Sequence, residues 1–174
     1  MLSRTADCLF WLARYVERAD NVARTLLVSH RMASMARSLG DPGDEWRSTL
    51  VAVGCEPGYL AKPGAASPES VIDYLVRDLD NPSSILACLE TARRNARAVR
   101  TALTVDMWEA LNETWLGLRA RCPDDGSPDR LVPFLEWIKQ RSLLFDGAYA
   151  NTMLRNDAFY FTQLGTFLER ADNT

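Results

Sequence analysis

The pentapeptide Glu-Arg-Ala-Asp-Asn occurs twice, at residues 17–21 and 169–173, an offset of 152 positions (169 minus 17). At the same offset Met1-Leu2 falls on Met153-Leu154, Ala6 on Ala158 and Leu12 on Leu164. Nine residues of 1–22 therefore recur in 153–174 without a gap. A mixed-charge string repeated inside two amphipathic segments implies a duplicated helical unit and places one polar cluster in the chain twice. The two helices are expected to pack as neighbours. The second copy ends at Thr174 whereas the first runs on through Ala23, Arg24 and Leu26, so the chain is expected to be the first part of a longer pattern.

The periodicity around both copies is helical, and it stays helical almost throughout. Leu9, Leu12, Val16, Ala19, Ala23 and Leu26 alternate spacings of three and four, which puts them on one face of a helix. Ser3 or Thr5 can cap that helix, and Gly40-Asp41-Pro42 supplies a stop. A short helix is expected over 44–54, followed by an ordered Pro/Gly loop over 56–64. Ser67-Pro68-Glu69 opens a helix to about Leu79. Asn81-Pro82-Ser83-Ser84 opens another, with Ile85, Leu89, Ala92, Ala96, Val99 and Leu103 as its apolar set. Further helices are expected at 106–121, with Trp108, Leu111, Trp115 and Leu118 inward, at about 131–147, and from Asp157 to the end. No segment alternates with period two. The predicted fold is an all-α bundle of long antiparallel helices, one domain over 1–174.

Composition narrows the function classes. The net charge of −3 argues against a general nucleic-acid binder, and no run of 18 apolar residues exists to span a membrane. Arg4, Asp7, Arg14 and Glu17 interrupt the N-terminal apolar stretch, which rules out a signal peptide. Cys8, Cys55, Cys88 and Cys122 are too scattered for a zinc site or a disulfide framework, so reduced thiols in the cytoplasm are expected. With His30 alone, neither a Ser-His triad nor a di-iron Glu-x-x-His bundle can be assembled.

Two clusters remain as candidates. Glu17, Asp20 and Arg24 stand one position beyond the apolar seam, at the core edge, and Glu169 and Asp172 repeat that placement. If the helices meet, these carboxylates converge near Arg18, Asn21, Arg170 and Asn173. Such a cluster serves either as an ion-pair network setting helix register or as a site for a polar ligand or a hard cation such as Mg2+. No cofactor is required by the sequence. The second cluster is Arg93, Arg97 and Arg100 at i, i+4 and i+7, with Arg94 and Asn95 beside them. It reads as a solvated face, with Glu90 pairing to Arg94, or as a surface for an anionic ligand or partner.

Several strings together resemble the bacterial alpha-E domain family. They include Trp11-Leu12-Ala13-Arg14-Tyr15 with Glu17-Arg18-Ala19, Asn81-Pro82-Ser83-Ser84-Ile85, Ala92-Arg93 with Asn95-Ala96-Arg97, and Leu168-Glu169-Arg170-Ala171-Asp172. The resemblance covers the whole chain, departing at Gly165-Thr166-Phe167, where an arginine and an aromatic residue are expected as in Arg14-Tyr15. It implies an all-helical cytoplasmic protein whose genes sit beside an ATP-grasp ligase and a transglutaminase-like peptidase, a setting for making or trimming amide-linked peptides. Members are usually longer, so this chain is expected to hold only the N-terminal part. The resulting expectation is a non-catalytic binding or accessory module acting through Glu17, Arg18, Arg93, Asn95, Arg97, Glu169 and Arg170. The alternatives are a metal-dependent enzyme using the clustered carboxylates, or an inert fragment. An exposed half-bundle face would favour a homodimer.

Overall fold

The computed structural model describes residues 2–36, 45–62, 67–124 and 127–173, which form eight α-helices and one 3-10 turn. No strand occurs among the described residues. The helices are α1 (Ser3–Ala36), α2 (Glu45–Ala52), α3 (Glu56–Leu60), α4 (Pro68–Val76), α5 (Ile85–Ala98), α6 (Val105–Arg121), α7 (Pro128–Thr152) and α8 (Asp157–Asp172). The expected stop at Gly40-Asp41-Pro42 lies outside the described residues.

At 34 residues, α1 is roughly 50 Å long. All six of its predicted seam residues are buried, Val16 being the most exposed at 4%. The apolar stripe of α1 is covered in sections by four other helices, α2, α5, α7 and α8. The core divides along it. Ala19, Val22 and Leu26 pack with Ile85, Cys88 and Leu89 of α5 and with Leu131, Leu135 and Ile138 of α7. Leu9, Leu12 and Val16 pack with Ala92 and Ala96 of α5, Met107 and Leu111 of α6, and Phe145 and Tyr149 of α7. These pairings make α5 and α7 antiparallel to α1. Thr104 bonding to Thr152, Ala110 and Thr114 meeting Arg141, and Gly117 lying against Trp137 make α7 antiparallel to α6.

α8 departs from the antiparallel rule. Gly165 lies against Phe10 and Ala13, and Arg14 reaches Glu169, so α8 runs parallel to α1 along its flank. The approach is close enough that a Cβ at Gly165 would stand 2.3 Å from the Phe10 carbonyl oxygen and 3.1 Å from the Ala13 Cβ. Thr166 beside it is buried, with no room for the arginine that the first copy carries at Arg14. The departure from the family pattern at Gly165-Thr166 is therefore a packing requirement.

The local signals mostly hold. Ser67 caps α4 in a reciprocal capping box with Ser70, Ser84 caps α5 through the Ala87 amide, and Asn156 caps α8. Four expectations need correction. The stretch read as a loop contains α3, one turn started by Glu56 and Pro57. α5 ends at Ala98, before a 3-10 turn at Arg100–Ala102, so Leu103 is not part of its stripe. Trp108 and Trp115 are not the inner stripe of α6; Met107, Ala110, Leu111, Thr114 and Leu118 are buried instead. The indoles lie half-buried at the helix edge under arginines. α7 also outruns its expected span at both ends.

The Gly165 contact is testable. Replacing it with alanine drives a methyl into backbone that no rotamer change can relieve, and is expected to cost about 1–3 kcal/mol by forcing α8 off α1. Urea unfolding of Gly165→Ala measures this; an unchanged midpoint contradicts the packing.

Candidate functional site

The two copies of the repeated string meet where the halves of the core join. Arg18 on α1 donates Nε to Glu169 Oε1 at 2.6 Å and Nη2 to Oε2 at 3.0 Å. Arg170 on α8 answers reciprocally, donating Nε to Glu17 Oε1 at 2.7 Å and Nη2 to Oε2 at 3.0 Å. Each Glu-Arg pair thus gives its carboxylate to the other helix and receives a guanidinium back. Both are fork-to-fork pairs, the strongest and most orientation-dependent form of this contact.

The sequence symmetry does not extend to environment. Glu169 is 2% exposed, whereas Glu17 is half-buried. Asp20 is buried and its counterpart Asp172 is exposed, although both were expected at the core edge. Glu169 also accepts from Arg14 Nε at 2.6 Å, and Arg14 Nη2 donates to Asp172. The buried carboxylate is therefore held by two arginines, which in turn stack on aromatic residues of α1: Arg18 over Tyr15 at 5.4 Å and Arg14 over Trp11 at 5.5 Å. Burial lowers the Arg18 pKa, but the hydrogen bond and charge of Glu169 more than compensate, and the guanidinium titrates above its usual range.

On the other side the charges are unbalanced. Arg170 serves both Glu17 and Asp146 of α7, the latter at 3.1 Å. Asp20 lies close by, bonded through Oδ2 to Arg24, while its Oδ1 is buried without a hydrogen-bond partner. Burial first, then the negative charges of Glu17 and Asp20, push the Asp146 carboxyl up to about 6, against the pull of Arg170.

The other predicted residues separate from this cluster. Asn173 donates Nδ2 to the Glu169 carbonyl at 2.8 Å, whereas Asn21 offers its own carbonyl to Thr25. Arg93 and Arg97 lie on α5 and Arg100 in the 3-10 turn after it; Arg93 reaches Asn112 of α6, Arg100 lies over Trp108, and Asn95 is half-buried on another side of α5. Arg94 donates to Thr91 at 3.4 Å and not to Glu90, correcting the expected pair. Sequence reasoning left out Arg14, Asp146 and Asn112 as site residues. Arg14 was findable, standing one turn before Arg18 on the same face; Asp146 had no local signal.

The described side chains offer little for nucleophilic catalysis. Cys88 is fully buried, and burial pushes its thiol up to about 12 despite the nearby Arg18. His30 is half-buried on α1, beyond the cluster. Among the described residues, no three His, Cys, Asp or Glu side chains come together to hold a metal ion. No helix among them is long and apolar enough to cross a membrane.

A family model described as a predicted alpha-helical domain with a conserved ER motif matches residues 1–174. The chain belongs to the Alpha-E family. The doubled Glu-Arg of this Alpha-E chain is what forms the reciprocal clasp. Its relatives include an uncharacterized protein of Mycobacterium bovis, 34% identical over 121 residues, and an uncharacterized protein of Mycobacterium tuberculosis, 33% identical over the same length. In each the match covers 62% of this chain and 14% of the relative, so the chain matches a small part of much longer proteins. No solved structure matches it.

The Asp146 environment predicts a pH effect. The folded Alpha-E chain holds this proton more tightly than the unfolded one, so the stability it contributes is complete below its ordinary 3.8 and lost as pH rises through about 6. Asp146→Asn cannot ionise and should raise stability by about 1–2 kcal/mol near pH 7.5, converging with the parent near pH 4. Thermal melts at both pH values measure this; a difference that is the same at both contradicts it.

Proposed function

We propose that this Alpha-E chain is a non-catalytic helical module, accessory to a cytoplasmic ATP-grasp and transglutaminase-linked system acting on peptides or amide bonds. The observation that carries the reading is the clasp itself. The charged residues that mark the family are spent on one another: Glu169 is buried under Arg14 and Arg18, and Glu17 is held by Arg170. Groups so paired organise helices and are not presented to a substrate. The ATP-grasp and transglutaminase setting comes from the family resemblance.

Surfaces away from the clasp suit a binding module. The outer side of α8 exposes Tyr160, Phe161, Leu164, Phe167 and Leu168 at helical spacing, and the homodimer expected from an exposed bundle face is proposed to form there.

The experiment mixes the purified chain with an ATP-grasp ligase and a transglutaminase-like protein of the same organism, the partners that the family resemblance implies, and measures mass by light scattering after size exclusion. The expected result is a dimer alone, a complex with at least one partner, and no hydrolysis or transfer by the chain itself with Mg2+ or Mn2+. A chain that remains alone in every mixture contradicts the accessory reading. Metal-dependent turnover by the chain alone establishes the enzyme alternative in its place.

A further inference from the structure

Eight described arginines have carboxylate partners, Arg14, Arg18 and Arg170 of the clasp among them. The face where α5 and α6 meet gathers four that do not. Arg93, Arg97, Arg100 and Arg119 share it, and none forms an ion pair among the described residues. Three of them lie over indoles instead. Arg93 and Arg119 stack on Trp115 at 5.6 and 5.9 Å, and Arg100 on Trp108 at 5.0 Å. Arg93 is steadied further by Asn112 Oδ1, which accepts its Nε at 3.3 Å and its Nη2 at 3.2 Å. Arg97 stands exposed between the stacked pairs.

Stacking does not discharge a guanidinium. It orients the plane and strips water from one side while leaving N–H edges to reach a carboxylate. The ordering cost of three of the four side chains is thereby partly met before any partner arrives. At one end the face runs into a recess of about 250 Å³ whose wall combines the apolar Leu79, Leu86 and Trp115 with Arg119 and the carboxylates of Glu90 and Asp124. Arg93 and Arg97 stand one turn apart on α5 and Arg100 follows in the 3-10 turn, a span of roughly 10 Å.

We propose that the α5–α6 face docks an acidic polypeptide segment, its carboxylates on Arg93, Arg97, Arg100 and Arg119 and an apolar side chain in the recess beside Trp115. Charge complementarity selects the occupant: this is a positive patch on a chain of net charge −3. Its limits select protein over nucleic acid. Glu90 and Asp124 line the recess, and Asp106, Glu109 and Glu113 lie on the neighbouring side of α6, so any anion running past the four arginines is repelled; a short acidic segment with an apolar end fits within the patch, and a continuous phosphate backbone does not. The inference deepens the accessory-module reading by naming a surface and a partner chemistry, and its purpose rests on that reading. Its test does not.

A fluorescein-labelled oligoglutamate peptide ending in phenylalanine is titrated with the full chain at low salt, followed by anisotropy. Binding is expected to weaken with added salt and to fall at least about tenfold in Arg97→Glu plus Arg100→Glu. Circular dichroism and a melting curve confirm that the doubly substituted chain is folded; these residues make no bond between helices, unlike Arg93. Loss of the terminal phenylalanine is expected to weaken binding about threefold or more. No binding, or binding indifferent to the charge reversal, overturns the proposal. So does tighter binding of labelled oligothymidylate than of the peptide, which would make the face a nucleic-acid surface. Failure to capture the ATP-grasp or transglutaminase-like protein leaves this titration unaffected, so the two readings fail separately.

Discussion

The register of α8 along α1 depends on one exchange of charge. Glu17-Arg18 and Glu169-Arg170 sit on parallel helices and each carboxylate is gripped by the opposite arginine. Taking Glu169 to 2% exposure costs several kcal/mol in lost hydration, and two arginines on one carboxylate offset it only in good geometry. A helix displaced by one residue would leave that carboxylate buried and unpaired. The pair therefore fixes register more than it adds net stability. Gly165 sets the distance, because α8 can approach until its backbone meets Phe10 and no further.

The clasp is asymmetric although its sequence is not. On the Glu169 side two guanidiniums serve the carboxylates of Glu169 and Asp172; on the Glu17 side one guanidinium serves Glu17 and Asp146, with Asp20 close by. Burial, and after it the surplus negative charge, lifts the Asp146 carboxyl to about 6. Identical strings produce different electrostatics because their surroundings differ: the first copy is in the middle of a helix walled by other helices, the second near the end of one.

Much of this was legible in the sequence, and for local reasons. The α1 seam, the Ser67 and Ser84 caps and the pairing of the two repeats follow from spacing and capping chemistry, which neighbours in the chain determine. The orientation of α8 was not legible. It is set by the turn at Met153–Asn156 and by a missing Cβ at Gly165, and neither changes the apolar period. Trp108 and Trp115 were misplaced because a pattern of apolar letters treats an indole as core, whereas a ring with arginine above it is stable at an edge. Asp146 was missed because its role arises from α1 and α8, far away in sequence.

The central claim is that the doubled Glu-Arg is a mutual clasp and not a pair of independent surface motifs. A double-mutant cycle on Arg18 and Glu169, read by urea unfolding, tests it most directly. Glu169→Ala should cost about 3–5 kcal/mol, more than Arg18→Ala, because it strands two guanidiniums. Arg18 and Glu169 should couple by about 1–3 kcal/mol. Additive losses, each below about 1 kcal/mol as for exposed ion pairs, would contradict the account.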